Sequence, residues 1–111
     1  MASRKIRLVK GDERPIVTLT LRDEVSDTPI DLSSPTTTVQ IKFRRAGSTG
    51  TPATIACEKV GTGASGQVTF KFVNGELDGQ PGDYEGEIEI DYAGEVQTVY
   101  DLLEFDVRDT F

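Results

Sequence analysis

Four carboxylates stand at every second position of "YEGEIEIDY": Glu85, Glu87, Glu89 and Asp91. Side chains alternate across a strand, so this spacing sets all four on one face and Ile88 and Ile90 on the other. Such a row can bind a hard cation, supply acid/base chemistry, meet a basic partner, or keep a sheet face hydrated. Acid/base work needs two groups in contrasting environments, and an even row along one strand offers no such contrast. The chain has no histidine, which removes the commonest general base and the commonest transition-metal ligand. No G-x-S-x-G occurs, and no imidazole could activate a serine.

The remaining candidates read as structure. "GTGASG" (61–66) matches a dinucleotide fingerprint, but a pyrophosphate site needs a helix N-terminus after the glycines. "QVTFKFV" follows instead and alternates like a strand, so a hairpin loop is expected. Cys57 in "TIACEKV" has no base beside it, and an inert, mostly buried thiol is expected. Asp78 and Asp83 in "LDGQPGD" offer oxygen ligands, but the EF-hand spacing is absent and the glycines and proline suit a turn. Gly82 and Tyr84 follow a long connection, as at the entry to the F strand of immunoglobulin-like sandwiches, where a tyrosine hydroxyl bonds back to the chain. The expectation is a protein that is not an enzyme and takes no cofactor or metal.

Composition narrows the class. A chain of 111 residues is one ordinary domain, with 36% hydrophobic and 28% charged residues. No apolar run approaches a membrane span, and "MASRKIRLVKGD" has no apolar core of a signal peptide. The single cysteine rules out an internal disulfide and fits a reducing compartment. A net charge of −7 argues against nucleic acid as the main partner. Residues 76–111 hold 12 of the 19 acidic groups and one of the 12 basic groups, so either the two regions meet in the fold or each faces a partner.

The elements that must position these groups are strands. "KIRLVKG" and "RPIVTLTLRD" open the series, with Val17, Leu19 and Leu21 sharing one face of the second. "TTVQIKFRR" sets Val39, Ile41 and Phe43 against Gln40, Lys42 and Arg44. "TIACEKV", "QVTFKFV", "YEGEIEIDY" and "LLEFDVRD" follow, with Val68, Phe70, Ile88, Ile90, Phe105 and Val107 pointing inward. "AG" at 93–94 reads as a hairpin turn. Beyond it Val96, Thr98 and Tyr100 share one parity and Leu103, Phe105 and Val107 the other, so a bulge is expected near Asp101–Leu102. The pattern predicts an all-β sandwich of about seven or eight short strands. Residues 1–5 are expected to form a flexible arm before a single domain over 6–111.

Three stretches carry a family resemblance: "LVKGDERPIVTLTLRDEVSDTPIDLSS", "PIDLSSPTTTVQIKFRR" and "PGDYEGEIEIDYAGEVQTVY". Their order resembles the immunoglobulin-like N-terminal domain of phage baseplate upper proteins and related small virion proteins of tailed phages. The resemblance covers most of the chain and implies an immunoglobulin-like β-sandwich of antiparallel strands, a structural module that docks parts onto the particle. The chain ends at Phe111 without a stalk, so the expectation is a module acting through its own faces, as capsid decoration or fibre, or as a small tail, baseplate or connector component. Its expected partners are other virion proteins, with a homo-oligomer possible and neither nucleic acid nor membrane involved. Its expected place is the virion, after synthesis in the host cytoplasm. Expected contact residues are Arg4, Lys5 and Arg7 in the basic N-terminal segment, and Glu85, Glu87 and Glu89 on the acidic strand. The alternative is an independent module recognising carbohydrate or an extended peptide.

Overall fold

Alternating segments become strands where their apolar face can be covered, and here two sheets cover each other. The computed structural model describes residues 5–23, 25–99 and 102–111. It contains β1 (Lys5–Val9), β2 (Val17–Thr20), β3 (Thr37–Arg45), β4 (Ala53–Ala56), β5 (Glu58–Lys59), β6 (Gln67–Phe70), β7 (Gly82–Tyr92), β8 (Glu95–Thr98) and β9 (Leu103–Arg108), with no helix among the described residues. One sheet runs β1-β9-β7-β3-β4, with β8 also on β7, and the other runs β2-β6-β5. These orders correspond to the G-F-C-C′ and B-E-D sheets of an immunoglobulin-like sandwich. The expectation of antiparallel strands throughout is corrected at one edge, where β1 pairs parallel to β9. A parallel pair needs a long crossover, and nearly the whole sandwich separates these two strands in sequence.

The core follows the alternation. Leu21, Val39, Ile41, Phe43, Val68, Phe70, Ile88, Ile90, Phe105 and Val107 are buried as expected. Val17 and Leu19 are only half-buried, because β2 is the edge of the smaller sheet. Leu8, Leu32, Ile55, Phe72 and Leu77 complete the cluster. Phe105 packs edge-on to Phe43, Phe72 and Phe70 at centroid distances of 5.1, 5.9 and 6.4 Å. Offset and edge-to-face pairs favour the ring quadrupoles, so this group fixes one end of the core more tightly than aliphatic contacts of equal area.

Two local expectations are corrected. "TIACEKV" is not one strand: β4 belongs to the larger sheet and β5 to the smaller, and the chain crosses between them at Cys57. The Cys57 amide donates to the Val39 carbonyl at 2.9 Å, so its backbone still holds to β3 at the crossing. The second correction concerns the step from β8 to β9. Glu89 pairs with Thr98 and Gly86 with Leu103, so three steps along β7 face five along the other strand. Two added residues preserve parity where one would reverse it. Val96 therefore stays on the outer face, 57% exposed, while Val99 and Leu103 pack against the core. Asp101, where the bulge was expected, lies outside the described residues.

Candidate functional site: a striped charged face

The outer face of the larger sheet gathers the charged side chains that alternate with the core. β7 contributes Asp83, Glu85, Glu87, Glu89 and Asp91, and β9 beside it contributes Glu104 and Asp106. β3 lies along the other side of β7 and places Arg44 opposite Glu85, Lys42 opposite Glu87 and Gln40 opposite Glu89. β1 flanks β9 and places Lys5 beside Glu104 and Arg7 beside Asp106. The face thus reads basic, acidic, acidic, basic from β1 to β3. The uneven charge along the chain is mostly resolved here, since acidic β7 and β9 come from the second region and basic β1 and β3 from the first.

Specific bonds tie parts of the stripes together. Arg44 Nε donates to Glu85 Oε1 at 3.1 Å, and Gln40 Nε2 donates to Glu89 Oε1 at 2.7 Å. Lys5 Nζ meets Asp83 Oδ1 at 3.2 Å. Lys42 Nζ reaches across to Thr54 Oγ1 at 3.4 Å rather than to Glu87, and Glu87 is exposed. Exposed pairs of this kind are each worth about 0.2–1 kcal/mol, because water screens them and ordering long side chains costs entropy. The face is therefore positioned by the sheet beneath it rather than by its own ion pairs.

The expected contact residues are brought together only in part. Glu85, Glu87 and Glu89 share the outward face of β7. Lys5 and Arg7 lie on the same face two strands away, so they complement this chain's own acidic band. Lys5 was expected in a flexible arm but is the first residue of β1, while Arg4 and the rest of residues 1–4 lie outside the described residues. Asp83, Glu104 and Asp106 were missed as members of the face. The signal for the last two was present, since "LEFDVR" alternates as clearly as "YEGEIEIDY". Among the described residues, no group of three or more acidic, cysteine or histidine side chains is arranged to hold a metal ion.

A second feature opens at the end of the sandwich. A groove of about 550 Å³ lies between the β3–β4 loop and the 74–79 turn, lined by Phe43, Arg45, Thr51, Asn74, Glu76 and Tyr84 among others. Tyr84 stacks on Phe43 at 5.0 Å with the rings 4° from parallel, and its hydroxyl donates to the Gln80 carbonyl at 2.6 Å. This is the corner bond expected from the Gly82–Tyr84 spacing, and it holds the connection against the start of β7. Glu76 Oε1 accepts from the Asn74 amide at 3.0 Å, so the carboxylate lining the groove is engaged in its own turn.

The other sequence candidates serve the fold. The glycines of "GTGASG" join β5 to β6 in a hairpin. Gly63 and Gly66 adopt positive φ there, and a Cβ at Gly66 would lie 2.6 Å from the Leu21 carbonyl oxygen. Cys57 is half-buried, and burial pushes its thiol up to about 12, so it is protonated at neutral pH. No protein-family model matches the chain, and no curated protein matches it.

Proposed function

We propose that this protein is a non-enzymatic structural component of a tailed-phage virion that docks onto other virion proteins through the striped face. The observation that carries the docking part is the placement of Glu87, Glu89 and Asp91 on the outward face of β7, above the buried Ile88 and Ile90. Glu87 is exposed and Glu89 and Asp91 beside it are half-buried, so the row offers outward negative charge to a basic partner. The phage assignment rests on the order of motifs in the sequence. A carbohydrate-binding role would act at the groove, where Phe43 is 3% exposed and the half-buried Tyr84 is engaged with Phe43 and the Gln80 carbonyl, so the docking reading is preferred.

Two measurements test it. Quantitative mass spectrometry of purified particles should find the protein at fixed stoichiometry, with few copies pointing to tail or neck and hundreds to the shell. Absence from particles would end the virion reading. Glu87→Lys combined with Glu89→Lys should leave a folded domain, since both side chains point away from the core, but should impair attachment. Attachment of the unmodified protein should weaken as salt shortens the Debye length below its physiological value of about 8 Å. A folded double variant that attaches normally at every salt concentration would remove the face from the mechanism.

A further inference from the structure

A sheet edge exposes unpaired N–H and C=O groups, and proteins blunt such edges with charge, proline or shortness. Most edges here are blunted. β1 carries Lys5 and Arg7, Pro15 precedes β2, Pro52 precedes β4, and β5 is two residues long. β8 is different. It reads Glu95-Val96-Gln97-Thr98: its one charge, Glu95, sits beside the turn, it holds no proline or lysine, and all four residues are exposed. Among the described residues it pairs only with β7.

Its free groups can be assigned. Ala93 (φ 57°) and Gly94 (φ 106°) form the two-residue turn of the β7–β8 hairpin, with Tyr92 opposite Glu95. The Val99 amide donates to the Ile88 carbonyl at 2.9 Å. Hydrogen-bonded and non-bonded pairs alternate in an antiparallel ladder. Glu95, Gln97 and Val99 therefore bond toward β7, and Val96 and Thr98 present their N–H and C=O groups to the open edge.

We propose that β8 is a self-association edge, pairing antiparallel with β8 of a second copy about a two-fold axis through Gln97. The register is self-complementary. Val96 of each copy lies opposite Thr98 of the other, and these are the residues whose backbone groups have no partner among the described residues. Gln97 lies opposite Gln97, and Glu95 lies opposite Val99, so no like charges are opposed. The exposed Val96 side chain gains a neighbour in Thr98 across the axis. Such a contact is isologous and closes as a dimer. It is small, so the dimer is weak, on the micromolar-to-millimolar scale. The inference uses an edge rather than the charged face, and it stands whether or not the protein belongs to a virion.

Analytical ultracentrifugation of the full chain from about 10 μM to 1 mM spans the range expected of a weak contact. The sedimentation coefficient should rise toward that of a dimer. Val96→Pro removes an outward N–H without touching the bonds to β7, and Val96→Lys leaves the backbone intact while placing charge at the edge. Both should remain monomeric throughout, and the lysine variant decides if the proline variant disturbs the hairpin. In a Cys57→Ser background, Gln97→Cys should form a disulfide-linked dimer under mild oxidation. The two residues would face each other as a non-bonded pair about 4.5 Å apart between Cα atoms, within disulfide range. Glu95→Cys in the same background should not cross-link. A chain that stays monomeric to 1 mM overturns the proposal. A dimer that survives Val96→Lys while Gln97→Cys fails to cross-link overturns it equally, by placing the contact elsewhere.

Discussion

Gly86 is a glycine in the middle of the longest strand, and replacing it with alanine sets two effects against each other. Alanine is favoured over glycine inside a strand by roughly 0.5–1 kcal/mol, because the unfolded chain loses freedom. The added Cβ, however, would lie 3.0 Å from Phe105 Cε2 and 3.1 Å from Ile41 Cγ2. Both neighbours must retreat by a few tenths of an ångström. Neither is free to do so: Phe105 and Ile41 are each 0% exposed, and Phe105 is wedged among Phe43, Phe70 and Phe72. Overfilling a packed core costs about 1–3 kcal/mol, and two fully buried neighbours place this site in the upper half of that range, so after the entropic gain Gly86→Ala should destabilise by about 1–2 kcal/mol. The unfolding entropy of about 2.1 cal/mol/K per residue converts each kcal/mol into about 4 °C for a chain of this length. Thermal unfolding followed by circular dichroism should therefore show a Tm lower by roughly 4–9 °C. A Tm equal to or above that of the parent would refute the claim that this corner of the core cannot relax.

Two further outcomes follow from single side chains. Tyr84→Phe keeps the stack on Phe43 and removes the bond to the Gln80 carbonyl, so urea unfolding should register a loss of about 0.5–1.5 kcal/mol; no loss would mean the corner bond contributes nothing. Burial raises the Cys57 thiol from 9.0 to about 12, so the folded state retains a proton that the unfolded state releases. Its contribution is full below pH 9 and is lost as pH rises through 12, and the stability difference from Cys57→Ala should shift over that window and stay flat from pH 6 to 8.

The strands were readable because their period of two is local. "TTVQIKFRR" and "YEGEIEIDY" each declare an inner and an outer face, and the structure pairs them with Ile41 opposite Ile88 and Lys42 opposite Glu87. The split of "TIACEKV" at Cys57 was not readable, because both halves have ordinary strand composition and only packing assigns them to different sheets. The same holds between β8 and β9. Val96 looks like a core residue by type, and its exposure follows from a register step that preserves parity. Of the candidate face, the β7 row was legible and the contribution of Asp83, Glu104 and Asp106 was overlooked.

By itself, the sequence determined the all-β class, most of the core, the free thiol and the outward row of carboxylates. Each depends on side-chain type and on alternation between neighbours a few residues apart. Tertiary structure alone decided which strands lie side by side. It set β1 parallel to β9, and so drew Lys5 out of the expected arm and placed it with Arg7 as the basic border of the chain's own acidic band. It also left β8 paired only with β7 among the described residues. Such pairings join residues far apart in sequence, where the free energy of the whole packed sandwich, rather than any local preference, selects the partner.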